Sequence, residues 1–203
     1  MPTSALDDLQ QARTRLADIT PGRRWCRDWT DAVDDCVRTL GASTVRSHGI
    51  AVAALGGHGR RELCPASDVD LLVVHDRASD DELSEVVRSV VTPLWDVGLK
   101  VGHAVRDVRA VLDSVDDIES ATALLDVRVL LGDTDLGQRV RTETLRRIRR
   151  RPDAYLEALH AADLSRRARA GDAAEVLEPD LKNGAGGLRD VQSLRWAAAA
   201  LVG

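Results

Sequence analysis

Phenylalanine is missing from this sequence of 203 residues, and the other aromatics are few, four Trp and one Tyr. Platforms that stack single-stranded bases therefore have little to be built from. Lysine is scarce as well: Lys100 and Lys182 are the only two among 28 Lys and Arg. A formal net charge of -5 gives no global attraction to a polyanion, so a nucleic-acid partner is disfavoured. No apolar run approaches the roughly 20 residues that a membrane span needs. The first residues, MPTSALDDLQQAR, lack the basic start and apolar stretch of a secretory signal. The expectation is a cytoplasmic chain with no membrane attachment. Cys26, Cys36 and Cys64 form no CxxC pair, and their odd number argues against a disulfide framework, so they read as buried or incidental thiols.

What is present is a globular composition, 44% hydrophobic and 30% charged, long enough for one domain or one with a smaller partner. Apolar residues at helical spacing over 5–19 and 25–41 predict an N-terminal helical hairpin, with Gly41 placed to stop its second helix. The run IAVAAL, Ile50 to Leu55, ends in Gly56-Gly57 and reads as a buried strand feeding a tight turn. Val69 to Val74 and Leu99 to Val105 predict two more strands. Between them lies an amphipathic helix from Asp80 to Trp95, with Asp80 or Asp81 as its cap. From Asp107 the pattern turns helical, over 107–113, 117–131, 135–150 and 153–170, with a break at Pro152. A polar, Gly-rich segment at 177–188 precedes a last helix over 192–202, which still reads as helix at the end and predicts a polypeptide that continues. Strands first and helices afterwards give an α+β fold in three parts. These are an N-terminal helical segment over 1–45, a core with a small mixed sheet over 46–115 and a helical appendage over 116–203.

The strongest chemical signal is LGGHGRRELCPASDVDLL, residues 55–72, in which a glycine turn precedes two aspartates separated by one residue. On a strand, side chains at i and i+2 share a face, so Asp68 and Asp70 point together while Val69 and Leu71 enter the core. Two adjacent carboxylates repel unless a cation lies between them. Magnesium suits them, because it prefers oxygen ligands and keeps waters and substrate phosphates in its shell. Such a metal stabilises charge as a phosphorus is attacked. Gly56 and Gly57 let backbone N–H groups approach phosphate, a helix starting near His58 or Gly59 points its positive end there, and Arg60 and Arg61 add charge.

The pattern GGHGRREL followed by SDVDLL resembles the signature of the DNA polymerase β-like nucleotidyltransferases. WDVGLKVGHAVRD (95–107), LLDVRVLLGD (124–133) and LEPDLKNGAGGLRDVQSLRW (177–196) resemble successive blocks of the bacterial PII uridylyltransferase family, in its N-terminal portion. The resemblance implies a polymerase β-like core and a magnesium-dependent transfer of UMP, or of AMP in actinobacterial relatives, from UTP or ATP to a tyrosine of the nitrogen-signalling protein PII. It implies catalytic roles for Asp68, Asp70 and Asp126, with metal on Asp68 and Asp70. Nucleotide contacts are implied for Gly56, Gly57, Arg60, Ser67, Lys182 and Arg189. The family usually has Tyr where His58 stands. The third acid is Asp126, with Asp107 second, although Asp126 could equally pair with Arg128 on a helix. The family's phosphohydrolase and sensing domains are not recognisable, and His75-Asp76 reads as a strand end.

Other features have plainer readings. Lys182, Arg189 and Asp190 either face nucleotide or dock the appendage through ion pairs. His103 on the third strand lies near the site or is structural. Seven arginines in RVRTETLRRIRRR, 139–151, read as a solvated helix whose terminal charges suit the macrodipole. Abundant Arg, Ala, Val and Asp fit a high-GC genome and lean towards ATP. A different acceptor, or a module that senses nucleotide without turnover, are the alternatives.

Overall fold

The structure, a computed structural model, describes residues 2–45, 49–171 and 177–202. The chain divides into two compact units. The first is Met1–Asp113 with Asp126–Arg141, and the second is Ser114–Leu125 with Thr142–Gly203. The described residues form an α+β fold, with a small four-stranded mixed sheet and many helices.

In the first unit, α1 (Pro2–Ala17) and α2 (Arg23–Gly41) form the expected hairpin. Trp25 and Trp29 bury themselves on α2, and the Trp25 indole N–H donates to the Leu16 carbonyl at 2.8 Å, tying the two helices together. Strand β1 (Ile50–Ala54) leads into a one-turn helix, α3 (Gly56–Gly59), which begins on the glycines themselves rather than near His58 or Gly59. Strand β2 (Val69–His75) follows, then α4 (Asp80–Val86), a π-helical turn over Val87–Val91, α5 (Thr92–Asp96), β3 (Val101–Asp107) and α6 (Val108–Asp113).

The cap of α4 is Ser79, not Asp80 or Asp81. Its hydroxyl accepts from the Glu82 N–H while the Glu82 carboxylate accepts from the Ser79 N–H, a reciprocal pair that an aspartate one position later does not make. The π turn sits just before Pro93, which has no N–H to give the ladder, so the hydrogen bonding there shifts register.

The sheet order is β3-β2-β1-β4, where β4 is Arg128–Gly132. Strand β1 is antiparallel to both neighbours, and β2 runs parallel to β3 through the α4–α5 crossover. Ile50, Val52 and Ala54 share a face with Val69, Leu71 and Val73. That face packs under Trp29, Val33 and Val37 of α2 and Val86, Val90 and Leu94 of the crossover.

Strand β4 corrects the helix expected over 117–131. The helix there, α7, is only Ile118–Leu125, and the chain turns at Asp126 before pairing with β1. The apolar spacing of Val127 to Leu131 is compatible with either element, and the open edge of β1 decides in favour of strand. Gly41 is the last residue of α2, where the sequence placed the end of the helix, and a Cβ there would lie 2.4 Å from a Leu131 methyl, so it also packs closely against β4.

Helix α8 (Thr134–Arg150) starts in the first unit and ends in the second, which also holds α9 (Pro152–Ala170) and α10 (Leu188–Leu201). Helix α9 packs on both α7 and α10, with Tyr155, Leu159 and Trp196 buried. Arg149 donates to the Ala199 carbonyl at 3.0 Å and to that of Val202, closing the C-terminal end of α10. Arg146 pairs with Glu143 one turn earlier on α8. Among the described residues no helix is long and apolar enough to cross a membrane.

Candidate functional site

The end of the sheet beside α3, at the start of the interior strand β2, carries the sequence signature. Val69 and Leu71 are buried and Asp68 and Asp70 exposed, the alternation that a strand imposes. Register fixes what stands beside Asp70: its partner on β3 is Gly102, and a Cβ built there would lie 3.0 Å from Asp70 Oδ1. On the other side, a Cβ on Gly56 would lie 3.9 Å from Asp70 Oδ2, and Gly56 holds φ +51°. The carboxylate thus stands between two glycines, one opening α3 and one in β3. Gly56 was legible as part of the glycine turn. Gly102 was not, because only the parallel pairing of β2 with β3 brings it there.

Asp68 immediately precedes β2. The turn before it is closed by the Cys64 N–H on the Ser67 hydroxyl and the Ser67 N–H on the Cys64 carbonyl, both at 3.0 Å. Ser67 therefore shapes the approach to Asp68.

On the far side of α3, Arg60 donates through Nη1 to Asp126 Oδ2 at 2.5 Å and through Nε to Glu62 Oε2 at 2.8 Å. A Cβ on Gly57 would lie 3.9 Å from Arg60 Nη2. Asp126 is thus gathered to the same short helix as Asp70, as the carboxylate partner of Arg60. Arg61, at φ +60°, pairs with Asp31 of α2. Asp107 stands opposite His75, five positions along β3 from Gly102. Its Oδ1 accepts the Ala110 N–H at 2.8 Å, which caps α6 and removes it from the neighbourhood of Asp70. His103 alternates with Gly102 onto the opposite face and meets the edge of Trp95, with centroids 5.3 Å apart.

Beneath α3 lies a buried charge network that the sequence reading did not find. Asp34 of α2, with its side chain 2% exposed, receives Arg128 Nη1 at 2.5 Å and Nη2 at 3.2 Å. His58, fully buried, has Nε2 at 2.9 Å from Asp34 Oδ1 and Nδ1 at 3.3 Å from the Asp70 carbonyl oxygen, so both ring nitrogens face acceptors. Arg128 also donates to the carbonyls of His58 and Gly59, both at 3.0 Å. Burial alone raises the Asp34 carboxyl, but the hydrogen bonds from His58 and Arg128 outweigh it and hold the group below its ordinary value. The network joins α2, α3, β2 and β4, and it fixes the backbone of Asp70 from below. Close packing completes it: a Cβ on Gly59 would lie 1.9 Å from the Asp126 carbonyl oxygen. One signal was available, an acid among Val33, Cys36 and Val37 on the apolar face of α2.

Lys182 and Arg189 belong to the second unit. There Asp180 accepts the backbone N–H groups of Lys182 and Asn183, each at 2.9 Å, and the Asn183 side-chain amide. Those bonds, the side-chain one foremost, hold the Asp180 carboxyl low. Arg166 of α9 donates to Asp163, Asp190 and the Asn183 carbonyl, and Gly186 N–H donates to Asp190 at 2.8 Å. Arg189 donates to Gln192 at 3.0 Å and lies over the Trp196 ring, while Lys182 is exposed. The 180–190 segment is therefore a closed, internally bonded turn leading into α10.

Comparison with known proteins bears on the same residues. Residues 154–202 match the family model described as GlnD PII-uridylyltransferase. The bifunctional uridylyltransferase/uridylyl-removing enzyme of Streptomyces coelicolor is 36% identical over 188 residues, 92% of this chain and 21% of that protein. Its counterpart in Xanthomonas axonopodis pv. citri is 37% identical over 168 residues, 82% of this chain and 19% of that protein. That of Aromatoleum aromaticum is 35% identical over 206 residues, 95% of this chain and 23% of that protein. The chain thus spans about a fifth of the length of these relatives. A family match over the last helices and these identities over most of the sequence agree, and the chain belongs to the PII-uridylyltransferase family.

Proposed function

We propose that this chain carries the nucleotidyl-transferring part of a PII-modifying enzyme, built on a polymerase β-like core. It moves UMP or AMP from UTP or ATP to a tyrosine of PII. The hydroxyl attacks the α-phosphorus, a new oxygen–phosphorus bond forms and pyrophosphate leaves. The observation that carries this reading is the Asp70 carboxylate between Gly56 and Gly102, with Asp68 two residues before it and exposed like it.

Magnesium fits this pair, since both offer carboxylate oxygens to a hard cation. Held there, it would neutralise charge on the phosphate oxygens. Among the described residues no group of three His, Cys, Asp or Glu is assembled, and substrate phosphates and water would complete the shell. Gly56 and Gly57 leave room for phosphate beside the carboxylates, while Arg60 and Ser67 are the further nucleotide contacts of this unit in this reading. One observation favours a second reading, a module that binds nucleotide without turnover: Asp126, the third acid, is engaged by Arg60.

The deciding experiment supplies α-labelled UTP or ATP, magnesium and purified PII. Label is expected on PII, with ATP favoured. Asp70→Asn should lower incorporation by about a hundredfold or more, with the thermal midpoint unchanged. Incorporation that survives the substitution overturns the assignment of Asp70. Tight nucleotide binding without product at any magnesium concentration selects the sensing module.

A further inference from the structure

Cys26 on α2 and Cys64 in the segment between α3 and β2 are 38 positions apart in sequence, yet their sulfurs lie 3.8 Å from each other. Cys64 is exposed and Cys26 partly so, while Cys36 is buried. We propose that Cys26 and Cys64 are an oxidisable dithiol, which peroxide converts to a disulfide that ties the segment leading to Asp68 onto α2.

The chemistry follows from accessibility. Cys64 is the thiol that solvent reaches, so its sulfur attacks a peroxide oxygen. The O–O bond breaks, and Cys64 becomes a sulfenic acid as one water leaves. Burial and the neighbouring Cys64 push the Cys26 thiol up to about 11, which leaves the exposed Cys64 to meet peroxide first. Cys26 then attacks that sulfur, the S–O bond breaks and a second water leaves. Two thiols and one peroxide give one disulfide and two waters, with two electrons passing from sulfur to oxygen.

A disulfide needs about 2.05 Å between sulfurs, an approach of under about 2 Å from the present separation and within the reach of side-chain rotation. Cys36, pushed up to about 11 by burial, is outside the pair and serves as an internal control. The tether bears directly on Asp68, because the turn from Cys64 to Ser67 is closed by two hydrogen bonds and Asp68 is the next residue. A glutathione-rich compartment reverses such a bond, so the device is transient.

The test is mass analysis of the reduced chain after treatment with hydrogen peroxide, removal of the peroxide, unfolding in the presence of iodoacetamide to trap every remaining thiol, and peptide mapping. The expected result is a loss of about two mass units, one alkylated thiol at Cys36, and a linked Cys26–Cys64 peptide that dithiothreitol releases. Cys64→Ser, at an exposed position, removes the link and Cys36→Ser keeps it. The urea-unfolded chain should instead give mixed pairings that include Cys36. Cys64 driven to sulfinic or sulfonic acid with Cys26 still alkylatable, or linked between two chains, overturns the proposal. None of these readouts depends on nucleotide transfer.

Discussion

Replacing Asp34 with Asn tests whether the network under α3 holds the site together by charge. The substitution keeps shape and removes a carboxylate whose side chain is 2% exposed. An amide offers one acceptor oxygen where two now receive Arg128 and His58, and it turns an N–H towards donors. Removing one partner of a buried ion pair costs about 3–5 kcal/mol, because the other charge is left without its counterpart. Arg128 is 26% exposed and keeps its bonds to the His58 and Gly59 carbonyls, which sets the expectation at the low end, about 3 kcal/mol. For a unit of this size that corresponds to a midpoint roughly 10 °C lower.

The assay is urea unfolding followed by tryptophan fluorescence in a Trp196→Phe background, where Trp25, Trp29 and Trp95 all report the first unit. A cycle with Arg128→Met isolates the pair, and the double variant should fall short of the summed singles by more than about 1 kcal/mol. The pH dependence has a fixed sign. Asp34 titrates lower in the folded chain than in the unfolded one. The stability it contributes is therefore complete above the ordinary carboxylate value near 4 and lost as pH falls through the folded value. The gap between the parent chain and Asp34→Asn should be flat from about pH 5 to 8 and close under acid. A loss below about 0.5 kcal/mol, or a gap that widens towards acid, refutes the reasoning.

Three further substitutions probe neighbouring contacts. Gly102→Ala puts a methyl 3.0 Å from Asp70 Oδ1. Strand stability should change by under about 1 kcal/mol, while labelling of PII falls at least about tenfold; unaltered labelling would remove Gly102 from the site. Gly59→Ala drives a methyl against the Asp126 and Ala54 carbonyls, where backbone rather than a side chain must yield. A loss of about 3 kcal/mol or more is expected in urea melts, and a near-normal midpoint contradicts the packing. Arg166→Leu removes the guanidinium from Asp163, Asp190 and the Asn183 carbonyl, so amide exchange over 180–190 should quicken roughly tenfold, and unchanged protection counts against that role.

What could be read from the sequence was local. The hairpin of α1 and α2, strands β1 to β3 and the exposed pair Asp68 and Asp70 each follow from spacing within a dozen residues, where the periods of 2 and 3.6 act directly. Strand β4 was read as helix because what makes it a strand is the edge of β1, more than 70 residues earlier. The same separation hid the floor of the site. Asp34 lies 94 positions from Arg128 and 24 from His58, and Gly102 meets Asp70 only through strand register.

These distant contacts bear on His58, a position where the family resemblance implies Tyr. A phenol presents a single polar atom, whereas the imidazole here faces Asp34 with one nitrogen and the Asp70 carbonyl with the other. A histidine at this position therefore makes sense only with the acid on α2. His58→Tyr should be tolerated better in Asp34→Asn than in the parent chain, because the carboxylate that the second nitrogen serves has already gone. The local change and its distant partner form one feature of the fold, which links the N-terminal hairpin to the backbone of Asp70.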